Sequence, residues 1–353
     1  MRAWRVHGFG PPEETFVLDD VEEPTVAMLA GMGMNLAGWV PLGATDVGHG
    51  GAPQPNHDWV IMRMSAAALA LPDVTMSTGA YPVPVPRPYT SGQEGVGIVV
   101  DASPSRTDLL GKRSTACTIQ PFGSLAPVAV GVGLMFEVPD GLDDEEAAGF
   151  IIPAHTAYHA ALRRGRVTAG ETVLVIGAGG GVGSAAVQLC VAAGARVIAL
   201  VGSEDKAAFC RELGADVAID HSRGDVASSV LAATGGRGLD VVIDPVQGEI
   251  GELARTLLVP DGRAVLCGHA GGLRPIDPHF YVHNVTLVGA TLGGYGPTVM
   301  AAIERDCQDA LVELLARGAF RPTTTRVVDF EDVPAAVADL AARRTMGRVV
   351  VRI

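Results

Sequence analysis

The chain has 353 residues, with 26 Lys and Arg against 39 Asp and Glu, a formal net charge of −13. This length favours two domains, each large enough to bury its own core. The acidic balance argues against nucleic acid or an anionic membrane as partner, since both recruit clustered basic residues, and leaves a small-molecule ligand.

Five cysteines, widely spaced and without a C-x-x-C pair, read as reduced core thiols. The opening MRAWRVHGFG lacks the apolar core of a signal peptide, so a cytoplasmic protein is expected. Residues 2–7 and 16–21 read as strands around a Gly/Pro turn. Residues 25–45, TVAMLAGMGMNLAGWVPLGAT, are uncharged. Their glycines, the proline and the acidic flanks disfavour a membrane span; a buried or oligomer-facing insertion and a substrate lid are the other readings. Residues 59–65, 95–100, 114–119 and 134–138 read as short strands of a small, mostly antiparallel β domain. Alternate prolines at 82, 84, 86 and 88 impose an extended loop between Tyr81 and Tyr89. Residues 143–164 read as one helix, capped by Asp143.

The most informative stretch is ETVLVIGAGGGVGSAAVQLCVAA, residues 171–193. An apolar strand meets five glycines within seven residues, then a helix with apolar residues at spacings of three and four. The first turn of such a helix presents unpaired N–H groups and a positive dipole end to a pyrophosphate. Gly177, Ala178, Gly179, Gly180, Gly181, Val182 and Gly183 form this turn. Aligned on its last glycine, the dinucleotide fingerprint reads Ala178-x-Gly180-x-x-Gly183, with alanine in place of the first glycine. A plain helix-packing turn is the alternative. The next strand, residues 195–201, ends Val201, Gly202, Ser203, with no carboxylate at its tip for a ribose 2′-OH and with Lys206 one turn into the following helix. Ser203 and Lys206 could ligate a 2′-phosphate, assisted by His221 or Arg223, so NADPH is expected over NADH; solvated helix-start charges are the alternative. Strands at 217–220, 240–245, 263–268 and 285–290 complete six with intervening helices, the number a doubly wound fold uses. Residues 298–317 read as a long helix, and 325–330 and 348–353 as strands returning to the first domain.

MRAWRVHGFGPPE, GAYP, GQEGVGIV, FEVPDGLDDEEAA, HTAYHA, the glycine turn, RELGAD, DVVIDPVQGE, NVTLVGATLGG and GRVVVRI resemble, in order, segments of the medium-chain dehydrogenase/reductase superfamily, in its zinc-free quinone oxidoreductase and enoyl reductase branch. The resemblance covers nearly the whole chain apart from about residues 25–56. It implies an α/β fold with a doubly wound parallel Rossmann sheet at 149–289, and a mostly antiparallel, GroES-like catalytic domain from 1–148 and 290–353. Zinc-containing members carry a cysteine and a histidine where this chain has Ala70 and Gln93, so no metal site is expected. The resemblance further implies Thr156 at the nicotinamide carboxamide, Gly268, His269, Ala270, Leu292 and Gly293 bordering the nicotinamide, and Tyr81 as proton donor. Water as donor, a packing role for Tyr81 and a helix hydroxyl role for Thr156 stay open. The expected activity is NADPH-dependent reduction of a quinone, enone or enoyl thioester. The alternatives are a zinc-free carbonyl reductase or alcohol dehydrogenase, and an NADPH-binding protein with little turnover. A homodimer through the 285–290 strand is expected.

Overall fold

The protein is described here from a computed structural model covering residues 1–31, 58–81, 85–276, 279–295 and 297–353. The chain forms two compact units, Met1–Ile152 with Gly293–Ala302 and Thr324–Ile353, and Pro153–Leu292 with Ile303–Thr323.

In the first unit, β1 (Arg2–Val6) lies between β2 (Phe16–Asp20) and β4 (Tyr89–Thr90). A second sheet contains β3 (Trp59–Ala68), β5 (Glu94–Ala102), β6 (Arg113–Thr118) and β7 (Val128–Glu137). β3 pairs with both β5 and β7, which closes these four antiparallel strands into a small barrel. The barrel core holds Val60, Met62, Val99, Ala116 and Met135. Gly131 of β7 faces Val60 and Ala116, where a Cβ would lie 2.8 Å and 2.7 Å from side-chain carbons, so only glycine fits. A separate core gathers Trp4, Val6, Phe16, Tyr89, Leu125, Val333 and Val337.

The second unit is a six-stranded, wholly parallel sheet. It contains β8 (Thr172–Ile176), β9 (Arg196–Val201), β10 (Val217–Asp220), β11 (Leu239–Asp244), β12 (Leu258–Leu266) and β13 (Thr286–Gly289), in the order β10-β9-β8-β11-β12-β13. This is the doubly wound dinucleotide order, with the direction of winding reversing at β8. Every residue of β8 is buried, because helices cover both faces of a parallel sheet. The remaining strands, β14 (Thr324–Val328) and β15 (Arg348–Arg352), join the first unit beside β3.

Four sequence expectations need adjustment. The helix expected over 143–164 is divided into Asp144–Ala148, Ile151–Tyr158 and a π-helical stretch His159–Arg164, with the break at Gly149 and Phe150. β7 begins at Val128 rather than 134, and β12 runs Leu258–Leu266 rather than 263–268. Residues 303–323, expected with the β-rich domain, group with the parallel sheet. Gln188 donates to the Arg321 carbonyl and accepts from its N–H, both at 3.0 Å, Ser184 Oγ lies 2.7 Å from Thr323 Oγ1, and His155 Nε2 is 2.9 Å from Gln308 Oε1. Of the uncharged segment 25–45, Val26–Gly31 is helical and residues 32–45 lie outside the described residues. Among the described residues no helix is long and apolar enough to cross a membrane.

Candidate cofactor site

The turn after β8 is shaped by close approach. Gly177 has φ +61, in the left-handed region that glycine enters without a Cβ penalty. A Cβ on Gly183 would overlap the Gly177 carbonyl oxygen and lie 2.7 Å from Ala178 Cα, so Gly183 lets the helix Gly181–Ala192 sit against its strand. Gly180 differs. It is the N-cap, at φ −91, and a Cβ there would meet nothing nearer than the Gly177 oxygen at 3.5 Å. That is ordinary van der Waals contact, so the fold does not require glycine at 180. Ala178 is buried and its N–H donates to Leu200 O at 3.2 Å, tying the turn to β9.

At the tip of β9, the Ser203 side chain accepts from Lys206 N and caps the helix Glu204–Glu212. The Lys206 stem runs across the turn, its carbons 3.1 to 3.2 Å from where a Cβ on Gly179 would stand. His221 donates its backbone N–H to Val201 O at 2.8 Å, and its ring lies beside Gly202. Arg223 is paired instead with Asp220 at 3.3 Å and with Glu204 at 3.8 Å. Glu204, the first acid past the tip, also receives Arg211 at 2.9 Å.

Beyond β11 the sequence reading missed a feature. Asp244 is buried, and its Oδ1 accepts from the N–H groups of Val246 at 2.9 Å and Gln247 at 2.6 Å. Its Oδ2 accepts no hydrogen bond from the described residues, and Arg255 lies 4.0 Å away. Burial raises the Asp244 pKa, against the pull of those two N–H donors and of Arg255. Gln247 stands at φ 57, ψ −137, a conformation costing a non-glycine residue about 1–3 kcal/mol. The Gly268–Gly272 loop, with exposed His269 and Ala270, follows β12 at the same end of the sheet. The only sequence signal for this feature was the DPVQG string itself, which does not reveal φ.

Thr156 is half-buried on the helix Ile151–Tyr158. Leu292 and Gly293 lie in a 3-10 turn, Leu292–Gly294, just past β13. The boundary between the two units falls between these two residues. In the first unit, Tyr81 donates its backbone N–H to Thr75 O at 2.9 Å and packs, partly buried, on the core that contains Tyr89 and Leu125.

A family profile described as zinc-binding dehydrogenase matches residues 181–315. A quinone oxidoreductase from Pseudomonas aeruginosa is 30% identical over 301 residues, which cover 84% of this chain and 92% of that protein. The chain belongs to the medium-chain dehydrogenase/reductase superfamily, in its quinone oxidoreductase-like branch. The quinone oxidoreductase of Thermus thermophilus, whose crystal structures include a complex with NADPH, matches this superfamily member over 100% of both chains at 30% identity and a TM-score of 0.76. A phenolphthiocerol/phthiocerol polyketide synthase polypeptide of Mycobacterium tuberculosis is 35% identical over 217 residues, 61% of this chain; the match spans 10% of that much longer protein.

The profile's description raises the question of zinc in this quinone oxidoreductase-like chain. Among the described residues no three His, Cys, Asp or Glu side chains are gathered to hold a metal ion. Ala70 offers no donor, and Gln93 is buried with its amide nitrogen 3.7 Å from Met76 sulfur. These side chains do not fit a zinc site.

Proposed function

We propose that the protein is an NADPH-dependent reductase of conjugated acceptors, a quinone or an activated C=C, that works without zinc. The observation that carries this reading is the phosphate turn: Gly180 caps the helix Gly181–Ala192 without a side chain, and Lys206 crosses Gly179 beside it. Backbone N–H groups and the helix dipole there suit a pyrophosphate, and the Ser203 and Lys206 pair with His221 suits a 2′-phosphate. The NADPH complex of the Thermus relative and the name of the Pseudomonas relative, a quinone oxidoreductase, support the same reading.

When bound, NADPH supplies hydride from its nicotinamide. The chain's own residues hold and orient it: Thr156 is assigned to the carboxamide, and Gly268, His269, Ala270, Leu292 and Gly293 to the ring's border. Ala70 and Gln93 would not hold a zinc ion to act as Lewis acid, so a saturated ketone would lack strong polarisation, whereas a conjugated acceptor spreads its charge onto an oxygen that hydrogen-bond donors stabilise. Tyr81 is assigned the proton that completes reduction.

A homodimer is part of the proposal. β13 is the last strand of its sheet, and Leu273, Ile276, Tyr281 and Val282, in the segment leading to it, are exposed. Pairing β13 edge to edge with a second copy would cover them.

The test is NADPH oxidation at 340 nm with an ortho-quinone, a cyclic enone, crotonyl thioester and a saturated ketone, with NADH and EDTA controls. Turnover of conjugated acceptors with NADPH preferred and EDTA harmless is expected. Activity on the ketone alone, or its loss with EDTA, would sink the reading. Sedimentation of wild type against Val282→Lys tests the dimer; a wild-type monomer would end it.

A further inference from the structure

Gln247 occupies a backbone region that glycine enters freely and other residues enter under strain, at φ 57 and ψ −137. Its side chain makes one hydrogen bond of note: Nε2 donates to the Gly268 carbonyl at 2.5 Å. The segment around it joins two parts of the cofactor site. On one side Val246 lies against the phosphate turn, its Cγ2 2.9 Å from where a Cβ on Gly177 would stand. On the other side the 267–272 loop is hung on this segment by the backbone bonds Cys267 N to Asp244 O at 3.0 Å, Gly271 N to Val246 O at 2.7 Å and Gly248 N to Gly272 O at 3.0 Å. Asp244, buried at the end of β11, holds the N–H groups of Val246 and Gln247 and so fixes the turn from below.

A glycine at 247 would keep this turn without strain, but it would remove the side-chain bond that fixes the Gly268 carbonyl. We infer that Gln247 is a positioning residue for the nicotinamide half of the cofactor, acting through the Gly268 carbonyl on the 268–272 loop; the inference rests on the NADPH reading above. Its amide does not reach the Gly177–Gly183 turn, so the adenosine half should be indifferent to it. The side chain therefore divides the site into two ends that can be probed separately.

The experiment is calorimetric titration of the full chain with NADPH and, separately, with 2′,5′-ADP, which carries only the adenosine phosphates, for wild type, Gln247→Gly and Gln247→Ala, with thermal melting of each. In Gln247→Gly the Kd for NADPH should rise about three- to tenfold, because a loop no longer fixed at the Gly268 carbonyl must be ordered when the nicotinamide binds. The Kd for 2′,5′-ADP should stay within about twofold, and the Tm should stay near that of wild type, because relief of the strained φ offsets the lost hydrogen bond and the added unfolded-state freedom. Gln247→Ala should show the same binding pattern with a lower Tm. Unchanged NADPH affinity in Gln247→Gly, or equal weakening of both ligands, would overturn the inference. A wild-type chain that binds neither ligand is a different failure: it removes the NADPH reading and this inference with it.

Discussion

Glu94 and Arg348, 254 residues apart in sequence, form an ion pair inside the first unit, with both side chains almost wholly removed from solvent. The other Glu94 oxygen accepts from Ile152 N at 2.9 Å, and the Arg348 stem packs on Gly149, where a Cβ would stand 3.1 Å from it. Burial raises the Glu94 pKa, and Arg348 opposes that rise. Arg348→Met should cost about 3–5 kcal/mol in denaturant unfolding, because it strands a buried carboxylate. The double variant Glu94→Gln/Arg348→Met should recover a large part of that loss, since no charge is then left unpaired. Additive losses in the double variant would show that the pair is not coupled.

The two glycines of the phosphate turn should fail in different ways. Gly183→Ala places a methyl against the Gly177 carbonyl and should lower stability by about 1–3 kcal/mol. Gly180→Ala meets only the Gly177 oxygen at 3.5 Å, so it should lose no more than the ~1 kcal/mol of a poorer N-cap while NADPH binding weakens about tenfold by calorimetry. Normal binding in a well-folded Gly180→Ala would move the pyrophosphate elsewhere.

Lys206→Ala should raise the KM for NADPH about tenfold and leave that for NADH nearly unchanged, since only the former has a 2′-phosphate for the ammonium to meet. Steady-state kinetics with both cofactors reads this directly. Equal effects on the two would assign Lys206 to the turn itself, where its stem lies over Gly179.

Burial lowers the His155 pKa from 6.5 to about 4, against the opposing hydrogen bond to Gln308. The folded value lies below the unfolded one, so its contribution to stability is complete above pH 6.5 and is lost as pH falls toward about 4. The loss amounts to about 3 kcal/mol by linkage. Chemical denaturation at pH 7 and pH 4 should show a smaller difference in His155→Gln than in wild type.

Tyr81→Phe should lower kcat by about 100-fold with KM within twofold, the signature of a lost proton donor. An unchanged kcat would give that step to water and leave Tyr81 as packing on the core that holds Tyr89 and Leu125.

Much of this protein was legible in its sequence. The inner strands β8, β9 and β11 are short apolar runs next to a turn residue, and a run of that kind suits a parallel strand buried on both faces. The glycine turn, the helix after it and the acid-free tip of β9 are local features, set by neighbours within a few residues. What the tertiary structure decided is non-local. Residues 303–323 join the parallel sheet through Gln188, Ser184 and His155, partners more than a hundred positions away. The expected helix over 143–164 is broken at Gly149, where the Arg348 side chain packs, and no 3.6-residue pattern records that neighbour. Gln247 is the sharpest case. Its φ is held by Asp244 from the preceding strand, and its amide by Gly268, 21 residues on, so its conformation depends on partners that only folding brings together.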